Sequence, residues 1–180
     1  MRRSRLEKVA LRLVSAVGPE TTVIVGGLAV ALHGYIRATD DIDLLVREPL
    51  QDVQARLAAK GIPAKLFRGD PFEGDFPCLK GVLGGIRFDV LPQLAPVAWD
   101  DLPWMKVGGV KVQVVDLQGL LGLKFRAQGP QDLLDAAALV FLHPELEPVA
   151  RRLATTYKVG DRLTMLLDDA RLRAQILEKR

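Results

Sequence analysis

A glycine pair sits between a short apolar run and a helix-like segment, and an Asp-Ile-Asp strand follows it within one stretch, GGLAVALHGYIRATDDIDLLV (Gly26 to Val46). Thr21 to Val25 (TTVIV) reads as a buried strand and LAVALH as a helix, which puts Gly26 and Gly27 at a strand-to-helix turn. Backbone N–H groups at a helix start favour anions, and glycine, lacking Cβ, lets a phosphate approach the main chain. In DIDLLV the side chains alternate, so Asp41 and Asp43 share one face while Ile42 turns to the core. Two neighbouring carboxylates repel each other and are most easily kept ionised by a hard cation. Oxygen ligands of this kind suit Mg²⁺ bridging to nucleotide phosphates.

A third carboxylate extends the pattern. CLKGVL (Cys78 to Leu83) and IRFDVL (Ile86 to Leu91) flank Gly84-Gly85, and a Gly-Gly pair between two strand-like runs signals a tight hairpin. Asp89 then lies inside an otherwise apolar strand, where a carboxylate is costly unless it meets water or a cation. Together, Asp41, Asp43 and Asp89 have the donor chemistry for two magnesium ions about 4 Å apart, an arrangement that clamps the attacking and leaving oxygens of phosphoryl transfer.

The glycine pair, the Asp-x-Asp strand fourteen positions after it and the further Asp on a later strand resemble the nucleotidyltransferase superfamily with the DNA polymerase β-like fold. More narrowly, Arg37-Ala-Thr-Asp-Asp-Ile-Asp and the later GLKFRAQGPQDLLDAAAL (Gly122 to Leu139) resemble small prokaryotic members that include toxins of abortive-infection and toxin–antitoxin systems. The resemblance spans roughly residues 20 to 140. It implies an α+β (α/β) fold: a mixed twisted sheet flanked by helices, with a C-terminal helical region. It also implies Mg²⁺-dependent transfer of a nucleoside monophosphate from an NTP to an acceptor hydroxyl. Two magnesium ions would be held by Asp41, Asp43 and Asp89. Gly26, Gly27 and Arg37 would position the triphosphate, with Thr39 and Lys124 as further nucleotide-binding candidates. The acceptor would be a tRNA 3′ end or a protein, and an antitoxin would be a partner. One departure stands out: Leu28 occupies the place where the wider superfamily commonly carries a Ser that helps hold the triphosphate. Thr39 or Arg37 could compensate, the latter through a planar fork suited to phosphate. Leu28 also keeps a second reading open, a nucleotide-binding or toxin–antitoxin interaction module without catalysis. A third reading, an aminoglycoside-type modifier, would need an acidic pocket for a cationic drug, and the basic balance of the chain speaks against it.

With 180 residues and 49% hydrophobic content, the chain suits one packed domain or a core with a small helical appendage. The division expected is a nucleotidyltransferase core over 1–116 and a helical region packed on it over 117–180. The apolar run Val23 to Leu32 is too short to span a bilayer, and no segment has the layout of a secretion signal, so a cytoplasmic protein with no membrane partner is expected. The single cysteine, Cys78, excludes an internal disulfide framework and reads as a small buried strand residue. A net charge of +3 is too mild to argue for nucleic acid by itself, although it is compatible with an RNA acceptor. The basic residues near both ends, among them Arg2, Arg3, Arg5, Arg171, Arg173, Lys179 and Arg180, read as solvated faces of terminal helices. The absence of Asn and the preference for Arg over Lys suggest a thermophilic source, though genome base composition produces the same bias.

Along the chain, Leu6, Val9, Ala10, Leu13 and Val14 predict an amphipathic helix ending near Gly18-Pro19. Pro49 opens a helix carrying Val53, Leu57 and Ala58, Gly61 ends it, and AKLF reads as a short strand after it. Arg68 to Pro77 reads as a loop near the hairpin, and Lys106 to Val115 as a further strand or a hairpin turning at Gly108-Gly109. Trp99 and Trp104, in a proline-rich stretch, are expected to pack against the sheet. Beyond the N-cap Asp116, helices are predicted over 117–127, 130–142, 145–156 and 161–178. Lys124 falls in phase with Leu117, Leu120 and Leu121 on the stripe that faces the core. Its ammonium must reach either the triphosphate or, by snorkelling, water. An ion pair with Asp132 and Asp135 would hold it in place. His33 and His143 read as structural.

Overall fold

The computed structural model describes residues 4–69, 76–94 and 97–178. Most of the expected Arg68–Pro77 loop, and Arg2, Arg3, Pro96, Lys179 and Arg180, lie outside the described residues.

The first helix, α1 (Arg5–Val17), starts at a capping box in which Ser4 and Glu7 satisfy each other's backbone N–H groups, and it buries Val9, Ala10, Leu13, Val14 and Val17. Strand β1 (Thr22–Val25) is buried throughout and leads into α2 (Gly26–Leu32). Strand β2 (Asp41–Val46) is followed by α3 (Leu50–Ala59), in which Val53 and Leu57 are buried while Ala58 is exposed. Next come β3 (Ala64–Phe67), β4 (Cys78–Leu83) and β5 (Ile86–Pro92). The sheet order is β1-β2-β5-β4-β3, with β2 and β5 parallel and every other neighbouring pair antiparallel. Gly84 and Gly85 both adopt the left-handed conformation that a two-residue hairpin turn requires.

A separate hairpin, β6 (Trp104–Val107) with β7 (Val110–Gln113), joins the sheet through a parallel bridge between Ile24 and Val114. The helical region follows as α4 (Leu117–Ala127), α5 (Pro130–Leu142), a 3₁₀ turn over Pro144–Leu146, α6 (Glu147–Thr156), α7 (Gly160–Leu167) and α8 (Ala170–Glu178). As predicted, Asp116 caps α4 by accepting from Gly119 N–H at 3.1 Å. The helix predicted over 161–178 is in fact two helices. Asp169 accepts from the N–H groups of Arg171 and Leu172 and so caps a new start, which is what an Asp does when it competes with the helix for backbone donors. One apolar cluster runs from α1 through the sheet into α4–α8, so the two halves of the chain share a core. Trp99 joins that core, with Arg47 lying 4.9 Å over its ring, whereas Trp104 is 47% exposed and does not pack as expected. Trp104 lies in β6, outside the main sheet. Among the described residues, no helix is long and apolar enough to cross a membrane.

Candidate active site

Parallel register between β2 and β5 sets Asp43 directly opposite Asp89, and the antiparallel register of the hairpin sets Asp89 opposite Lys80, itself opposite Lys65 on β3. Four strands thus present one row of charges, Asp43, Asp89, Lys80 and Lys65. Leu45 and Leu91 pair in the next row, as do Cys78 and Phe67. The sheet face carrying these rows is one wall of a cleft of about 770 Å³, and Leu120, Leu123, Lys124 and Ala127 of α4 are the facing wall. Gly26, Arg68, Phe76, Arg126 and Asp132 also line it. Cys78 is buried, as expected, and lines this cleft.

Gly26 is needed here for a specific reason. Its φ is +63°, and a Cβ at this position would run into the carboxylate of Asp43. The glycine therefore lets Asp43 sit against the turn between β1 and α2. Gly27 stands one residue deeper, where a Cβ would press on Thr39 Oγ1. Leu28 is buried in the core.

Burial pushes the Asp43 carboxyl up to about 6, and the negative charges of Asp41 and Asp89 add to the effect, while Lys124 opposes it. This is the electrostatic conflict that a cation at the site would relieve, and three carboxylates are the donor type a hard divalent ion prefers. The carboxylates are not gathered in advance: among the described residues, no three acid, imidazole or thiol groups already converge as a cation site. Asp89 instead leans to Lys80, whose Nζ lies 3.4 Å from Asp89 Oδ2. Thr39 Oγ1 donates to Asp41 Oδ1 at 2.9 Å.

The opposite wall is fully paired. Lys124 is 6% exposed, and its Nζ lies 2.8 Å from both Asp132 Oδ1 and Asp135 Oδ2. Asp135, completely buried, also accepts from Arg37 Nε at 2.6 Å, Arg37 Nη2 at 2.7 Å and Gln131 Nε2 at 2.9 Å. Burial alone would raise the Asp135 carboxyl, but the Arg37 fork and the Lys124 ammonium outweigh it and hold the group below its ordinary value. The same bond to Asp135 raises Arg37.

Of the residues singled out in the sequence, Gly26, Asp43, Asp89 and Lys124 therefore line one cleft, while Asp41, Gly27, Arg37 and Thr39 are not in its lining. Arg37 reaches the cleft indirectly, through Asp135 and Lys124. His33 Nε2–H donates to the Val115 carbonyl at 2.7 Å, and His143 Nε2–H to the His33 carbonyl at 3.0 Å, tying α2 to the start of α4 and the end of α5. Burial keeps the His33 imidazole below its usual value. Lys80 was missed in the sequence, yet a two-residue turn at Gly84-Gly85 fixes the pairing of the hairpin, and counting back from it puts Lys80 across from Asp89.

No protein-family description and no curated protein sequence matches this chain. Solved structures do. ANT(2″)-Ia, in complex with adenylyl-2″-tobramycin, superposes with a TM-score of 0.54 at 15% identity over 98% of this chain and 99% of that one. A candidate nucleotidyltransferase from Thermotoga maritima gives 0.53 at 17% identity over 71% of this chain and 87% of its own. An antigenic nucleotidyltransferase-like protein from Paracoccidioides brasiliensis gives 0.53 at 18% identity over 90% and 91%. The chain therefore has the nucleotidyltransferase fold, with the carboxylate-bearing strands and the lysine-bearing helix facing each other across its cleft.

Proposed function

We propose that this protein is a Mg²⁺-dependent nucleotidyltransferase that moves a nucleoside monophosphate from an NTP to an acceptor hydroxyl, releasing pyrophosphate. The observation that carries the reading is the placement of Asp43 and Asp89, register partners on parallel strands, across one cleft from Lys124. Asp41, Asp43 and Asp89 would hold the magnesium ions, which supply charge neutralisation at the phosphates and a lowered pKa at the acceptor hydroxyl. Gly26 and Gly27 leave backbone N–H groups for the triphosphate, and Lys124 gives it a fixed positive charge from the opposite wall. Arg37 acts behind Lys124 by locking Asp135. Thr39 orients Asp41 through its hydroxyl. Rate enhancement in such a site comes from alignment and preorganised charge, with little covalent work for the side chains.

The acceptor we favour is the 3′ end of a tRNA. Arg68, Lys80 and Arg126 lie along the cleft, next to the aromatic rings of Phe67 and Phe76, and this surface suits an anionic chain with stackable bases better than a cationic drug. The resemblance of the Arg37–Asp43 and Gly122–Leu139 segments to toxin components supports restraint by an antitoxin partner. The decisive experiment incubates the protein, and an Asp41→Ala/Asp43→Ala control, with MgCl₂, each α-labelled NTP, total tRNA and a cell extract. Carboxylate-dependent label in tRNA is the expected result, and label in protein would move the acceptor to that class. Magnesium-dependent NTP binding without transfer to either would leave a binding module, the reading that Leu28 favours.

A further inference from the structure

Lys124 is held by two carboxylates that differ in every respect that matters for exchange. Asp135 is completely buried and occupied on both oxygens, by Arg37, Gln131 and Lys124. Breaking its contact with Lys124 would leave a buried negative charge short of a partner, a costly state. Asp132 has a side chain that is 26% exposed and lines the cleft, and Lys124 is its hydrogen-bond donor at 2.8 Å. If that contact opens, the Asp132 carboxylate meets water at once. Asp132 also lies one turn before Asp135 on α5, with its Oδ2 beside Gly129 at the start of the helix, where a Cβ would crowd it.

A phosphate oxygen is chemically what Asp132 already offers: an anionic acceptor at hydrogen-bond distance from an ammonium. We propose that Asp132 is an internal competitor for the phosphate that Lys124 binds, occupying the ammonium in the free protein and yielding to the ligand, while Asp135 holds Lys124 in both states. This deepens the nucleotide-binding reading above and rests on it. Its consequence is that Asp132 weakens triphosphate binding and speeds release of pyrophosphate, at the same time keeping a nearly buried lysine paired when the cleft is empty of nucleotide.

The test is calorimetric titration of the full chain with Mg·ATP and, separately, with inorganic triphosphate. Asp132→Asn keeps the shape and removes the competing charge, and should tighten both ligands about threefold or more. Asp135→Asn should weaken both. The control for mere loss of negative charge is the Lys124→Met background, in which Asp132→Asn should no longer tighten binding. Should Asp132→Asn leave affinity unchanged or weaken it while wild type binds, Asp132 is a second anchor and the proposal falls. A gain that persists in Lys124→Met would also overturn it, by assigning the effect to bulk charge. Failure of both wild type and Asp132→Asn to bind either probe removes the nucleotide-binding reading, and this inference with it.

Discussion

The two walls of the cleft solve opposite electrostatic problems. On the sheet side, Asp43 is pushed to about 6 by burial and by the nearby negative charges of Asp41 and Asp89. On the helix side, Lys124 and Arg37 are matched by Asp132 and Asp135, and Asp135 is held below its ordinary value. One wall is under strain until something positive arrives; the other is complete before any ligand comes. Function is the expected return for the strained side, because a cluster of like charges is kept in a folded protein at a stability cost. The paired side is built for rigidity, which suits a fixed cation aimed into a cleft.

The contrast is broken most sharply at Asp43. Replacing it by Ala should lower nucleotidyl transfer by at least about a thousandfold, the scale of losing a group that organises charge in the transition state. The melting temperature should stay level or rise. A destabilised Asp43→Ala protein that still transfers label would put the functional carboxylate elsewhere. Asp135→Ala should do the reverse of Asp43→Ala on stability. It removes the buried carboxylate that Arg37 and Lys124 share, leaving the nearly buried Lys124 with Asp132 alone, and should cost about 3–5 kcal/mol in urea unfolding. A loss below about 1 kcal/mol would mean that the two cations reach water instead, and the helix wall would not be the rigid one.

Much of this was legible in the sequence. The strand-glycine-helix order, the alternation of DIDLLV, the Gly-Gly hairpin and the cap at Asp116 are local signals, each resting on backbone chemistry within a few residues. Even the pairing of Lys124 with Asp132 and Asp135 followed from a lysine placed in phase with leucines. What stayed hidden depends on distance through space. Asp135 binding Arg37 joins residues 98 positions apart, and no periodicity connects them. Parallel pairing of β2 with β5, which puts Asp43 opposite Asp89, has no turn to set its register. The break between α7 and α8 was hidden for another reason: Asp169 lies within an amphipathic pattern that continues on both sides, and its side chain overrode the pattern.

The turn that holds the two walls in relation gives a smaller and more local test. Gly26 combines a positive φ with direct contact to Asp43, so Gly26→Ala must strain the backbone and displace the carboxylate together. A loss of about 1–3 kcal/mol is expected. The double variant Gly26→Ala/Asp43→Ala should recover part of it, since the obstructing carboxylate is then gone. No recovery would assign the whole cost to φ and would separate the glycine from the site.

The smallest effect is the one whose sign discriminates best between the walls. The folded-state value of Asp43, about 6, lies above the ordinary 3.8, so the folded protein binds the proton more tightly than the unfolded chain does. Stability is therefore undiminished by this group at pH below about 4, falls as the pH rises through 4 to 6, and carries the full penalty above that. A displacement of that size corresponds to about 3 kcal/mol. Water on the cleft side screens the charge and brings the expected penalty to about 1–2 kcal/mol. Asp43→Asn should then be more stable than wild type by that amount at pH 8 and equal to it at pH 3.5, measured by urea unfolding at both. Asp135→Asn must show the opposite course, because a depressed carboxyl stabilises above its unfolded value and loses that contribution as the pH falls. Adding MgCl₂ at pH 8 should narrow the gap between wild type and Asp43→Asn, since a cation bound to the carboxylates removes the repulsion that the amide had already relieved. If magnesium leaves the gap unchanged, the strained wall is not waiting for a metal, and its charge must instead be answered by Lys80 and Lys124 from within the protein.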